Sequence, residues 1–234
     1  IIQHAAQMAI DEGVAGMVES LATRGYADGQ GARLTRFNAQ GDIATANDIA
    51  LRAVDGSFDL VLTSSTISMQ GVANANRGGK TRHVFGVVAD PASAGVGVSR
   101  DNPLDHPPHM AGIGSFMPVE KVLALARQMN PRLARIGLVW HTAETNSRAY
   151  TEATRKACAA LGLELIEANA ETSSAVGEAA GSLVARGVDA LLVTPDVVVL
   201  VAVDAMVAVA DRAGIPVLSA VPPNVRKGAL FDLG

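Results

Sequence analysis

The sequence predicts an α/β fold made of two doubly wound, parallel-sheet lobes that are joined by a hinge. Two similar segments carry this prediction: residues 59–65 and 189–195 each lead from an Asp through a short apolar strand to hydroxyl side chains. Each is followed by a helix-like segment and by a second apolar strand, at 83–88 and at 215–220. Strands that alternate with helices are typical of parallel sheets. Two such lobes that face one another form a cleft, in which a small molecule is expected to bind.

The first predicted lobe covers residues 1–116. Gly25 fits the end of its first helix, because the left-handed conformation at a helix C-terminus favours glycine. The second helix is predicted from apolar residues that recur at helical spacing, so that Ile43, Ile49 and Val54 share one face. The predicted elements are strands at 1–3, 32–38, 58–62 and 84–88 and helices at 9–24 and 42–54.

The second predicted lobe, residues 117–221, repeats this order. Pro118 lies near the start of its first helix, and Asn130-Pro131 ends that helix. Gly162 is expected to close the second helix. The predicted helices are at 119–129, 147–161, 176–186 and 197–213. The predicted strands are at 135–140 and 164–168, and two further strands begin at 189 and at 215.

Two segments fall outside this alternation. Pro222-Pro223 breaks the chain, so that residues 222–234 are expected to return to the first lobe. Crossings near 115–118 and 220–224 would then form a two-stranded hinge. Residues 92–115 are rich in Gly, Pro, Ser and His and show no clear periodicity. This segment is long for a connection that has no helix or strand of its own. They are expected either to cover the mouth of the cleft or to pack on the edge of the first lobe.

Composition excludes several classes of protein. A net charge of −4, only 3% aromatic residues and no run of Lys or Arg argue against a nucleic-acid partner. No apolar run reaches the roughly 18 residues that a membrane span needs. The one cysteine, Cys158, excludes an intramolecular disulfide and is expected to be a small core residue. The chain opens at Ile1-Ile2-Gln3, inside an apparent strand, and we therefore expect a preceding segment, such as a removed signal peptide.

The candidate ligand contacts follow the predicted strands, because ligands of parallel sheets bind beyond the carboxyl ends of strands. The hydroxyl residues either hold an anionic group beside helix amides or simply cap the helices. Asp196 either pairs with an ammonium group of a ligand or is another N-cap. Trp140 either packs against a ligand or fills the lobe. The candidates are Gln3, His4, Thr63, Ser64, Ser65, Thr66, Val88, Ala89 and Asp90 in the first lobe and Trp140, His141, Asn146, Ser147, Thr194, Asp196, Ala220 and Asn224 in the second.

Nothing in the sequence argues for catalysis. His106 and His109 have a spacing that suits a metal, but Pro107-Pro108 lies between them and no Cys or acidic cluster completes a site. No Gly-x-Ser-x-Gly segment is present, and the glycine pairs at 95–97 and 112–114 lack the third glycine of a dinucleotide loop. We therefore expect no catalytic residue, no metal and no cofactor.

Several blocks of the sequence resemble the substrate-binding proteins of a group of ABC importers, a group that includes aromatic amino-acid binders. Asn38-Ala39-Gln40-Gly41-Asp42 and Asp90-Pro91-Ala92-Ser93-Ala94-Gly95 match two blocks of that family in the same order. Further matches are residues 59–61, 135–139, 146–147, 161–165 and 225–230. The chain departs from the family at 64–67, at 102–110 and at 222–224, and it stops at Gly234, where the family continues.

The resemblance implies a periplasmic-binding-protein fold of type I and a receptor role. Such a receptor is extracytoplasmic, either periplasmic or membrane-anchored, and is expected to be a monomer without a cofactor. It captures a small polar solute, such as an amino acid, in the cleft by hinge closure and delivers it to a membrane permease. Two alternatives remain open at this point: a two-lobed enzyme such as a racemase or isomerase, and the ligand-sensing domain of a regulator.

Overall fold

In the computed structural model, which describes residues 1–234, the chain forms two α/β units, Ile1–Phe116 and Met117–Gly234. Each unit contains one five-stranded sheet whose strand pairs are all parallel. The predicted α/β class with parallel sheets is therefore confirmed. None of the helices combines the length and the apolar character that crossing a bilayer requires.

The first unit begins with a strand and continues through three helices. Gly25 follows the first helix with a φ of +88°, in agreement with the predicted stop. The strands are β1 (Ile2–Gln3), β2 (Ala27–Asp28), β3 (Gly31–Ala32), β4 (Phe37–Asn38), β5 (Leu60–Ser64), β6 (Arg82–Val88) and β7 (Met110–Gly114). The helices are α1 (Met8–Ala22), α2 (Ile43–Ala53) and α3 (Thr66–Ala75).

The second unit alternates helices and strands throughout. Gly162 ends the second of its helices in the left-handed conformation, as predicted, and Gly214 ends the last one in the same way. The helices are α4 (Val119–Met129), α5 (Thr145–Leu161), α6 (Val176–Ala185), α7 (Val197–Val201) and α8 (Val203–Ala213). The strands are β8 (Arg135–Trp140), β9 (Glu164–Asn169), β10 (Ala190–Val193), β11 (Val217–Ser219) and β12 (Phe231–Asp232).

The sheet of the first unit has the order β4-β1-β5-β6-β7. Its core lies against α2 and α3, where Ile2, Ile49, Val61 and Val72 form one buried cluster. A second cluster places Met69 of α3 beside the apolar side chains of β6 and β7. This packing fixes the carboxyl ends of β1, β5 and β6 side by side.

The sheet of the second unit has the order β12-β11-β10-β8-β9. All four residues of β10 are buried, because helices cover both faces of a central parallel strand. Helix α4 packs against α5, and α6 packs against α8. At the amino end of the sheet, Oδ2 of Asp189 accepts hydrogen bonds of 2.8 Å from the backbone N–H groups of Ala134 and Arg135. Asp189 therefore joins the start of β8 to the start of β10.

The structure corrects three predictions about elements and decides one alternative that the sequence left open. Residues 32–38 form strands only at their two ends, β3 and β4. For residues 92–115, to which no element was assigned, the structure shows the alternative of packing on the edge of the first lobe: they contain strand β7, which pairs with β6 at the edge of the first sheet. The predicted helix at 197–213 is two helices that meet at Ala202. Residues 222–234 do not return to the first unit: β12 pairs with β11 in the second sheet.

Candidate functional site

The carboxyl ends of β8, β10 and β11 bring most of the second unit's candidates together. Residues that follow separate strands contact one another here, although they are about fifty positions apart in the sequence. His141 follows β8, Asn146 and Ser147 lie in the first turn of α5, and Asp196 lies between β10 and α7. This edge is where a parallel sheet presents its ligand groups.

Asp196 is the centre of a hydrogen-bond network within the second unit. Its Oδ2 accepts from the hydroxyl of Ser147 at 2.6 Å and from the backbone N–H of His141 at 2.7 Å. Its Oδ1 accepts from the N–H of Val199 at 2.9 Å, so that Asp196 is the N-cap of α7. Asp196 is fully buried. Of the two alternatives left by the sequence, the structure therefore shows the N-cap.

Glu144 lies beside Asp196 and was not among the predicted site residues. Its carboxylate accepts from the backbone N–H groups of Val197 and Val198, at 3.1 and 3.3 Å, and from Nδ2 of Asn146 at 3.1 Å. Burial, and second the charge of Asp196, raise the pKa of Glu144 to about 7. Val197 and Val198 follow more than fifty residues later in the chain, and no local pattern in the sequence indicates these contacts.

Four side-chain polar atoms at this edge are buried and have no hydrogen-bond partner: Nε1 of Trp140, Nδ1 of His141, Oδ1 of Asn146 and Oγ1 of Thr194. The Asn146 amide cannot be turned to exchange its two ends, because Nδ2 donates to the carbonyl of Pro195, which can only accept, as well as to the carboxyl of Glu144. Oδ1 thus remains an acceptor that lacks a donor. Buried polar atoms without partners are rare and point to a ligand or a water.

The side chains of Trp140 and His141 are engaged within the unit. The guanidinium of Arg155 lies 5.6 Å from the centre of the Trp140 ring, which supports the lobe-packing alternative for this residue. The indole Nε1 is buried without a partner. His141 lies between two glutamates, with Nε2 3.3 Å from Glu171 and Nδ1 3.9 Å from Glu144.

Ala220 and Asn224 follow β11. Both are buried. Nδ2 of Asn224 donates to the hydroxyl of Ser219, which also accepts from the backbone N–H of Val221. Asn224 therefore closes the turn that begins at the end of β11.

The first unit presents its own set of candidates after β1. Gln3 donates through Nε2 to Asp11 and to the carbonyl of Ala5, which ties β1 to α1. His4 is buried and its Nδ1 has no partner. Burial lowers the pKa of His4, and the nearby Asp42 opposes that shift. His4 is accordingly a neutral side chain at neutral pH.

The hydroxyl residues at the carboxyl end of β5 are held by contacts inside the unit. Oγ1 of Thr63 lies 2.9 Å from Nε2 of the buried His83. Ser64 donates to the carbonyl of Ile10. Ser65 is the N-cap of α3 and accepts from the N–H of Ser68, which is the capping alternative for this group. Thr66 begins α3 and is buried.

The end of β6 has an unusual backbone conformation. Val87 has a φ of +53°, a conformation that β-branched residues rarely adopt. The side chain of Val88 belongs to the core, and Ala89 is buried beside it. Asp90 accepts from the N–H groups of Ala92 and Ser93 and from Arg100 at 2.7 Å, so that it caps the following turn.

The family comparison matches the whole chain. The model of the family described as ABC transporter substrate binding protein covers residues 1–234. A curated relative, a tyrosine-binding protein of Clostridioides difficile, is 28% identical over 225 residues. That alignment covers 96% of this chain but only 64% of the relative, so the chain spans less than two thirds of the relative's length.

Solved structures give the same fold. A conserved domain protein of Vibrio cholerae superposes with a TM-score of 0.91 at 28% identity, and the match covers 100% of this chain and 77% of that one. A Streptococcus pneumonia protein in complex with L-Trp superposes with a TM-score of 0.90 at 20% identity, over 99% of this chain and 76% of that one. These likenesses confirm the predicted fold of the type I periplasmic binding proteins.

Proposed function

This chain belongs to the ABC transporter substrate binding protein family, and we propose that it is the extracytoplasmic receptor of an importer, one that captures an amino acid. Members of this family are substrate-binding proteins and not enzymes, which argues against the racemase or isomerase alternative. The proposed partner is the membrane permease to which such a receptor delivers its solute. The regulator alternative gains no support from the family match.

The observation that carries the proposal is the pair of unpartnered buried atoms, Asn146 Oδ1 and Thr194 Oγ1. An amide oxygen that lacks a donor and a hydroxyl that lacks any partner together suit a solute with hydrogen-bonding groups of both kinds. An amino acid has an ammonium donor and carboxylate acceptors. The tyrosine-binding relative makes an aromatic amino acid the first solute to test.

Further candidate residues are proposed to line the site around the solute. His4 and Thr66 in the first unit, and Ser147 and His141 in the second, lie at the strand ends where a solute is expected. Asp196 acts in this proposal through Ser147 and the amide of His141, since three donors already occupy its carboxylate.

Calorimetric titration tests the solute class. The protein is unfolded, dialysed and refolded to remove any bound solute, then titrated with L-tyrosine, L-tryptophan, L-leucine and D-glucose. We expect binding of at least one aromatic amino acid and none of glucose. Binding of glucose alone, or of no amino acid, would overturn the proposal.

The substitution Thr194→Val sharpens this test. Because the hydroxyl of Thr194 has no partner in the protein, its removal leaves the free protein at least as stable. The solute loses one hydrogen bond, and its dissociation constant rises about threefold to tenfold. Thr172→Val is the matched control: its hydroxyl contacts Ser174 in an exposed turn, and no change in affinity is expected.

The proposal includes closure of the two lobes about a hinge when the solute binds. A solute drives closure only if it binds the closed form more tightly than the open form. Small-angle X-ray scattering should then show a smaller radius of gyration when the solute is added, and an unchanged radius at saturation would contradict closure.

A further inference from the structure

Glu144, which the sequence did not single out, lies within the second unit's candidate site, where its carboxylate accepts from three donors. It lies directly before α5 and is the N-cap residue of that helix, but its side chain makes no cap hydrogen bond there. Its carboxylate instead reaches across to the backbone N–H groups of Val197 and Val198 in α7. Glu144 thus connects the starts of two helices that follow β8 and β10.

The third contact of Glu144 determines how Asn146 is presented. Oε2 of Glu144 accepts from Nδ2 of Asn146, and the carbonyl of Pro195 accepts from the same nitrogen at 2.7 Å. Both N–H groups of the amide are therefore used, and Oδ1 is the atom left without a partner. Asn146 is only 7% exposed, so an acceptor that finds no donor there has a free-energy cost in the empty protein.

We propose that Glu144 is a positioning residue for the solute: it holds the Asn146 amide with Oδ1 directed to a donor on the solute, and binding of a cationic donor displaces a proton from Glu144. This inference rests on the proposed function, since it assigns the part of the site that recognises the ammonium group of an amino acid.

The charged groups around Glu144 set the sign of the effect. Asp196 faces it from the loop before α7, and its negative charge disfavours ionisation of Glu144. His141, after β8, approaches with Nδ1 at 3.9 Å, and its other nitrogen contacts Glu171 beyond β9. Arg148 on α5 donates to the carbonyls of Thr142 and Ala143.

The direction of the pH effect follows from linkage. Burial and Asp196 raise the pKa of Glu144 to about 7 in the empty protein, so that a large part of the population is protonated at pH 6. A nearby ammonium group favours the ionised carboxylate and lowers that pKa. Solute binding therefore releases a proton, and by reciprocity the affinity rises with pH. We expect about fivefold tighter binding of L-tyrosine at pH 8 than at pH 6.

The test compares wild type with Glu144→Gln and with Glu171→Gln. Glu171 is the matched control, because it is a glutamate that contacts the same histidine but does not touch Asn146. We expect Glu144→Gln to weaken L-tyrosine about tenfold at pH 8 and to abolish the pH dependence, while Glu171→Gln retains it. The desamino analogue 3-(4-hydroxyphenyl)propionate should bind wild type without this pH dependence, because it has no ammonium group.

A second readout needs no solute. In the empty protein, the Nδ2–H₂ signals of Asn146 in an NMR spectrum should shift with a midpoint near pH 7, and Glu144→Gln should remove that shift. Signals that titrate identically in the variant would overturn the inference whatever the solute is. If Glu144→Gln removes the NMR shift but the affinity for L-tyrosine depends on pH in the same way in wild type and variant, the link between Glu144 and the solute would be overturned. If the Asn146 signals titrate as expected but the protein binds no amino acid at any pH, the proposed function would be overturned and, with it, the role of Glu144 in recognition.

Discussion

The hydroxyl of Ser147 donates to Oδ2 of Asp196 over 2.6 Å, although the two residues are 49 positions apart. This contact joins the first turn of α5 to the loop before α7. The same carboxylate holds the N–H of His141, so one buried charge fixes three separate segments of the candidate site.

Replacement of Asp196 by Asn should lower the stability of the protein. The amide can accept with its oxygen, but its NH₂ group would face donors that now bind the carboxylate. We expect the free energy of unfolding to fall by about 2 kcal/mol, measured by urea denaturation. Asp204→Asn is the control: Asp204 pairs with Lys227 at an exposed position, and its loss should cost less than about 0.5 kcal/mol. A variant of Asp196 as stable as wild type would contradict the role of this network.

Two glycines of α1 should respond to alanine in opposite directions. A Cβ on Gly13 would lie 2.5 Å from Cγ2 of Val87, whereas a Cβ on Gly16 would meet nothing within 4 Å. Gly16→Ala should therefore stabilise the protein by up to about 1 kcal/mol through helix propensity. Gly13→Ala should destabilise it by about 1–3 kcal/mol through overpacking. Thermal unfolding of the two variants checks this, and a Gly13→Ala protein that melts above wild type would contradict the close contact with Val87.

His83 should make stability fall in mild acid. Burial, and second the charge of His109, lower the pKa of His83 to about 4, below the ordinary value of 6.5. As the pH falls, His83 therefore becomes protonated at a higher pH in the unfolded chain than in the folded protein. The contribution of His83 is fully present above pH 6.5 and is lost as the pH falls toward 4. Urea denaturation between pH 7 and pH 4 should show that the free energy of unfolding falls less steeply with pH in His83→Gln than in wild type. Equal slopes of the free energy of unfolding against pH would contradict the prediction.

Cys158 should be unreactive in the folded protein. It is 1% exposed, and burial raises the pKa of its thiol to about 11. We expect no reaction with Ellman's reagent at pH 8 in native buffer and one equivalent of thiol in guanidinium chloride. Fast labelling of the native protein would show that α5 opens easily.

The sequence predicted those parts of the fold that local patterns encode. Helical spacing in 42–54 and the glycine stop at Gly162 both correspond to observed elements. Strand β7 could not be recognised, because Met110-Ala111-Gly112-Ile113-Gly114 contains two glycines and its strand character comes from pairing with β6. The break at Ala202 is likewise invisible in a continuous apolar run.

The candidate site was predictable to a smaller extent. The position of Asn146 and Thr194 at one edge of the sheet follows from topology, since the segments that follow parallel strands share the edge at the carboxyl ends. What each polar group contacts does not follow from topology. Asp196 and Ser65 turned out to be N-caps, and Glu144 gained its role from Val197 and Val198 of a distant helix. Such roles depend on contacts between segments that the sequence alone does not bring together.

The hydrogen bonds of Asp189 at the opposite end of the sheet have a consequence for the candidate site. They align β8 with β10 at their first residues, so that Ala190 lies beside Ile136 and the pairing continues residue by residue. Side chains alternate between the two faces of a strand, and a shift by one residue would turn Trp140 to the opposite face and displace the His141 amide from Asp196. A carboxylate at the far end of the sheet thus helps to decide whether the polar groups of the candidate site, one strand length away, can meet at all.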